Sequence, residues 1–176
     1  MTEKPITVLY SEETIAACVE DLAARIAAAG YRDLLVIAVL KGSFMFAADL
    51  LRAMHRKGVA PEVEFMTLSS YGAGLESSGT VRVVKDIDSD VAGRDVLLID
   101  DILESGRTLS FAQGLLKERG AARVEIAVLL DKPGKRRAEV VADHIGFTCP
   151  DRFVVGYGMD AAHAFRQLPF VGVIED

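Results

Sequence analysis

Asp100 and Asp101 stand side by side at the end of an apolar run, Val96-Leu97-Leu98-Ile99. They are followed by Ile102-Leu103-Glu104-Ser105-Gly106-Arg107-Thr108. Two carboxylates and then a short stretch with two hydroxyls and a glycine can receive two different kinds of ligand group. The apolar run predicts a buried parallel strand over Asp95 to Ile99, and Thr108 to Glu118 predicts a helix that closes at Gly120. The N–H groups of Ser105 to Thr108 then lack intrahelical partners and lie at the positive end of the helix dipole, where a phosphate binds. Asp100 and Asp101 would repel that phosphate. They suit sugar hydroxyls, which donate to carboxylate oxygens, or Mg²⁺, which prefers oxygen ligands and stays partly hydrated. Phosphate, sugar and Mg²⁺ together describe a phosphorylated ribose.

The elements that must position these residues alternate strand with helix, which predicts an α/β fold with a mostly parallel twisted sheet flanked by helices. Ile6 to Tyr10 reads as a short strand. Ser11 caps a helix running from Ile15 to Ala29, stopped by Gly30. Leu34 to Leu40 is a buried strand, Lys41-Gly42-Ser43 a tight loop, and Phe44 to Lys57 a helix ended by Gly58. Strands follow at Glu62 to Ser69, Val81 to Lys85 and Val124 to Leu130. The tail from Ala142 onward has short strands at Phe153 to Val155 and Val171 to Ile174, with a brief helical stretch near Ala161 to Phe165. This change of texture predicts a small cap built from both chain ends. With no repeat, linker or low-complexity tract, residues 1–176 read as a single domain.

The acidic segment resembles the phosphoribosyl-pyrophosphate (PRPP) signature of the type I phosphoribosyltransferases. Over most of its remaining length the chain is similar to the hypoxanthine-guanine branch of that family. The supporting islands are Leu40-Lys41-Gly42-Ser43-Phe44, Ser70-Tyr71, Leu129-Leu130-Asp131-Lys132 and Phe153-Val154-Val155-Gly156-Tyr157, with Asp160 and Phe165-Arg166 beyond. Their order is far more specific than the first signature alone, which also fits the acidic strand end of a nucleotidase or ATPase.

The resemblance implies transfer of 5-phosphoribose from PRPP to a 6-oxopurine, with hypoxanthine the leading acceptor and guanine beside it. The products are IMP or GMP and pyrophosphate. It implies Asp100, Asp101, Ile102, Leu103, Ser105, Gly106, Arg107 and Thr108 around the ribose and its 5′-phosphate. Lys41, Gly42, Ser70, Tyr71 and Arg166 are implied at the pyrophosphate, and Lys132, Phe153, Val154 and Asp160 at the purine. Mg²⁺ is the implied cofactor, with Asp100, Asp101 and Asp160 as its carboxylates. Glu104 is the implied catalytic residue, either accepting the purine proton as general base or stabilising the cationic sugar. A homodimer or homotetramer is the family assembly.

Several of these residues also have plainer readings. Taken alone, Lys41-Gly42-Ser43 is a strand-to-helix turn with a surface lysine, and Phe153 is an ordinary strand aromatic. Residues 69–79 form a long polar, Gly-rich connection, read as a lid that excludes water from a cationic sugar or as slack chain. Lys135, Arg136 and Arg137 read as a solvated basic face. His55, His144 and His163 have no useful spacing and are given surface or packing roles.

The chain departs from the family pattern at Glu104-Ser105, where Asp-Thr is usual. Glutamate keeps the carboxylate and adds a methylene; serine keeps the hydroxyl and loses a methyl. Because Lys132 reads a 6-oxo group that hypoxanthine, guanine and xanthine share, a xanthine- or guanine-preferring enzyme stays open. A regulator that binds PRPP or nucleotide without catalysis is the alternative from another class.

Bulk properties narrow the classes. A formal net charge of −6 opposes non-specific binding to nucleic acid or an anionic membrane surface. Cys18 and Cys149 are far apart in sequence, lack metal-ligand spacing and are expected to be reduced, as in cytosol. The N-terminus has no apolar leader pattern, and Leu34 to Leu40 is too short to span a bilayer, so a cytoplasmic protein is expected.

Overall fold

The computed structural model describes residues 5–70 and 80–175. The chain begins with β1 (Ile6–Tyr10) and α1 (Glu12–Ala28), then β2 (Leu35–Leu40), α2 (Phe44–Arg56), β3 (Glu62–Ser70) and β4 (Val81–Lys85). It continues through β5 (Asp95–Leu103), α3 (Arg107–Glu118), β6 (Arg123–Asp131), a 3₁₀ turn at Pro133–Lys135, β7 (His144–Thr148), β8 (Val154–Val155) and β9 (Val171–Ile174). Six strands form the main sheet in the order β4-β3-β2-β5-β6-β7, parallel throughout except where β4 returns antiparallel to β3. β1, β9 and β8 form a separate antiparallel sheet that joins both chain ends, as the tail's texture predicts.

Central strands of a parallel sheet are covered on both faces, so they read as continuous apolar runs. Alternate residues nevertheless serve different layers. Val36, Ala38, Leu97 and Ile99 pack with Ile15, Val19 and Leu22 of α1 and with Phe46 and Leu50 of α2. Leu35, Ile37, Val96 and Leu98 pack on the opposite face with Leu109, Ala112 and Leu116 of α3. At the start of α1, the Ser11 hydroxyl accepts the Thr14 N–H at 3.2 Å, the expected N-cap. The small sheet is tied to β7 by Tyr10, whose ring stacks on Phe147 at 4.1 Å between centroids. No helix among the described residues is long and apolar enough to cross a membrane.

Three expectations are corrected. The strand predicted to stop at Ile99 runs on to Leu103, because β6 continues beside it and pairs Ile102 with Leu130 and Leu103 with Asp131. β7 was hidden in the tail: His144–Thr148 adds parallel to β6 as an edge of the main sheet, not as part of the cap. No helix forms near Ala161 to Phe165. The Asp160 carboxylate there accepts the His163 N–H at 2.8 Å, while Ala162, His163 and Phe165 take positive φ, so a side-chain-bonded turn replaces the helical ladder.

Candidate active site

The carboxyl ends of β2, β5 and β6 point the same way, and ligands of open α/β sheets bind beyond such ends. Here they open on a cleft of about 570 Å³. Its walls bring Lys41, Gly42 and Ser70 together with Asp101, Ile102 and Glu104, and with Lys132, Phe153, Val154, Asp160 and Arg166. Beside it lies a smaller recess of about 100 Å³ lined by Asp100 and Ile102 to Gly106, with Thr108 and Leu109. Arg107, the first residue of α3, lines neither cavity. Tyr71 lies outside the described residues.

The recess is built by backbone. Gly106 is the N-cap of α3 at φ +79°, a left-handed conformation that glycine adopts without steric cost. A side chain there would also strike Val140. The loop is held from behind, because the Arg137 and Ala138 N–H groups donate to the Ser105 carbonyl at 2.8 and 3.1 Å. The Ser105 hydroxyl accepts the Arg107 N–H at 3.4 Å. These contacts leave the start of α3 presenting N–H donors, which suits a phosphate.

Asp100 and Asp101 are enclosed with charged oxygens close together. Burial, and then the charge of Asp101, push the Asp100 carboxyl well above the usual carboxylate range. Burial also raises Asp101, against hydrogen bonds and the positive charge of Arg166 that lower it. Each carboxylate accepts the N–H of the residue after it, at 2.9 Å for Asp100 and 2.8 Å for Asp101. Such a pair gains from a cation or from hydroxyl donors. Across the cleft, the Leu40-Lys41 peptide is cis, and Gly42 lies so close to Asp101 that a Cβ would drive into its carboxylate.

The other half of the cleft is built by side chains on short connections. Lys132 is only 5% exposed, and its ammonium donates to the Arg152 carbonyl at 2.6 Å. Phe153, by contrast, is 62% exposed, a large ring with a free face at the mouth of the cleft. Arg166 donates to the Gly158 carbonyl at 2.6 Å and pairs with Asp160 at 2.8 Å. Glu104 lies between the halves, with Lys135 Nζ 3.6 Å from its Oε1.

A family model for the phosphoribosyl transferase domain matches residues 6–162. The chain belongs to the phosphoribosyl transferase family. Its relatives lie in the hypoxanthine branch. It is 46% identical over 170 residues to the hypoxanthine-guanine phosphoribosyltransferase of Bacillus subtilis (strain 168), spanning 96% of this chain and 92% of that one. It is also 46% identical over 142 residues to the hypoxanthine phosphoribosyltransferase of Escherichia coli (strain K12), spanning 81% and 78%. A crystal structure of the Staphylococcus aureus hypoxanthine phosphoribosyltransferase superposes with a TM-score of 0.89 at 40% identity, covering 96% of this chain and 90% of that one.

In this phosphoribosyltransferase Lys135 and Arg137 are exposed, as a solvated basic face requires, and Arg136 between them corrects that expectation. Arg136 bonds Asp131, runs beside Gly106 at the start of α3 and keeps one guanidinium nitrogen, Nη1, buried. The spacing of Lys135, Arg136 and Arg137 carries no period that marks one of them as buried. The only available signal was Asp131 at the strand end, a carboxylate in need of a partner. His144 has a packing role with specific partners, because its Nε2 lies 2.8 Å from the Tyr31 hydroxyl and 3.1 Å from Glu125. Leu68 and Met159 also line the cleft and carry no chemical signal in sequence. Cys18 and Cys149 are free thiols, and burial pushes Cys18 up to about 11, far from an activated thiolate.

Proposed function

We propose that this chain is a purine salvage enzyme of the cytoplasm that transfers 5-phosphoribose from PRPP to a ring nitrogen of hypoxanthine, with guanine the second acceptor. The observation that carries the reading is the meeting of two half-sites in one cleft. A buried lysine and an open aromatic ring face the acidic pair and its phosphate recess.

The 5′-phosphate sits on the N–H groups of Ser105 to Thr108, with Ile102 and Leu103 walling the ribose and Asp100 and Asp101 accepting its hydroxyls. Lys41, the Gly42 backbone, Ser70, Tyr71 and Arg166 receive the pyrophosphate. Lys132 donates to the 6-oxo group, Phe153 stacks on the ring, and the Val154 backbone reads its edge. Charge gathered at the pyrophosphate by Lys41 and Arg166 favours its departure, and the flanking carboxylates stabilise the cationic ribose that develops. Glu104 either takes the purine proton or steadies that positive charge.

Among the described residues no group of three or more His, Cys, Asp or Glu could hold a metal by itself. Mg²⁺ does not require such a cage, because it binds through one or two carboxylates together with substrate phosphate oxygens. Asp100 and Asp101, crowded together at the end of β5, would fit that role, with Asp160 on the wall of the same cleft as a further carboxylate. When bound, Mg²⁺ supplies neutralisation of the leaving group. A homodimer or homotetramer is the assembly we propose, as the family resemblance implies.

Nucleotide formation from PRPP and Mg²⁺ with hypoxanthine, guanine, xanthine, adenine and uracil offered separately tests the reading. Fastest turnover with hypoxanthine and slower turnover with guanine are expected. Protein that binds PRPP yet turns over none of the five would overturn it in favour of a nucleotide-binding regulator.

A further inference from the structure

Glutamate at position 104 creates a problem that the rest of the cleft must answer. Its extra methylene adds a torsion, so an unrestrained carboxylate sweeps a wider arc than aspartate and loses more freedom when fixed. Its side chain is 40% exposed, so packing alone does not hold it.

A cation from the neighbouring turn meets it. Lys135 closes the 3₁₀ turn Pro133–Lys135, and its ammonium lies 3.6 Å from Glu104 Oε1 and 2.9 Å from Asp151 Oδ1. The two carboxylates raise the Lys135 ammonium above its ordinary range, with Asp151 the stronger influence. Asp151 precedes Arg152, whose carbonyl holds Lys132, and Phe153, the open ring. One ammonium therefore ties Glu104, on the ribose side, to the connection that carries the purine contacts.

We propose that Lys135 is a positioning residue for Glu104: it anchors the longer carboxylate at the seam between ribose and purine, braced by Asp151. The proposal rests on the transferase reading above and extends it. The three partners are all exposed, and exposed ion pairs contribute little to folding stability, so the effect belongs in turnover. Loss of the anchor lets the carboxylate drift, and displacements of about 1 Å in a catalytic group cost up to on the order of 10²-fold in rate. A solvated anchor recovers only part of that, which sets the expected effect at about fivefold.

The test is a double-mutant cycle on the full chain, with kcat and KM measured for hypoxanthine and PRPP. Lys135→Met is expected to lower kcat about fivefold with KM for PRPP unchanged, and Lys135→Arg to recover most of the loss. In a Glu104→Asp background, whose shorter carboxylate no longer reaches the ammonium, Lys135→Met is expected to cost less than twofold. Asp151→Asn, which frees the far end of Lys135, is expected to lower kcat by a smaller factor. It serves in place of the cycle if Glu104→Asp does not fold. Equal loss in both backgrounds would reduce Lys135 to a structural part, and an unchanged kcat in Lys135→Met and Asp151→Asn would remove it altogether. Either result, with normal wild-type turnover, overturns this inference alone, whereas a wild-type protein that turns over no purine overturns the transferase reading as well.

Discussion

The two halves of the cleft are made by different means. On the proposed ribose and phosphate side, the ends of β2 and β5 and the start of α3 come together, with glycines at the points of closest approach. On the proposed purine side, Lys132, Lys135, Asp151 and Phe153 stand on a single turn and a short connection, held by a few hydrogen bonds and ion pairs. Backbone geometry suits a ligand part that never varies; side chains on connections suit a part that differs between substrates. Substitutions on the two sides should therefore fail differently.

The largest loss is expected at Gly42. Replacing it with valine pushes a side chain into the Asp101 carboxylate and should reduce turnover by at least about 10²-fold, with PRPP binding, measured by calorimetry, lost as well. Lys132→Ala comes next. Removing a charge-assisted hydrogen bond should raise KM for hypoxanthine by roughly 10- to 100-fold while PRPP affinity stays within about twofold. If both ligands weaken equally, the division between halves is wrong. Phe153→Ala should raise KM for the base by about tenfold through lost stacking. Its melting temperature should be unchanged, because the ring is exposed.

The smallest effect lies outside both halves. Near the opposite end of β6, burial opposes ionisation of Glu125, yet hydrogen bonds from Tyr31, Arg123 and His144 win and hold its carboxyl below the ordinary value. A depressed carboxyl contributes stability above its unfolded value, and that contribution is lost as pH falls through the folded one. Melting temperature should therefore fall on acidification below about pH 4.5, and Glu125→Gln should flatten that fall without changing PRPP affinity at neutral pH.

The half of the cleft around Asp100 and Asp101 is the half whose geometry is legible in the sequence. Asp100 to Thr108 is contiguous, and an apolar strand, an acidic pair and a helix start declare their geometry locally. The purine half is assembled from positions with weak individual signals, so Lys132 and Phe153 stood out only through family resemblance. The same locality explains the errors in the fold. α1, β2 and α2 have strong periods and were read within one or two residues, apart from the N-terminal turn of α1. β7 has no clear sequence signal, because His-Ile-Gly-Phe-Thr has little apolar length and gains its place from β6. Arg136 was assigned to solvent because only the folded chain brings it to Asp131.

Lys132 also bears on which bases are refused. In the resting protein its buried ammonium already gives one of its three N–H donors to the Arg152 carbonyl, which holds the nitrogen in place and leaves the others for an arriving acceptor. On the proposed reading, a 6-oxo oxygen takes one of these donors and leaves the backbone bond in place. A 6-amino group presents donors instead and sets N–H against N–H. Refusal of aminopurines would then follow from a donor fixed in place before the base arrives, with no steric wall required.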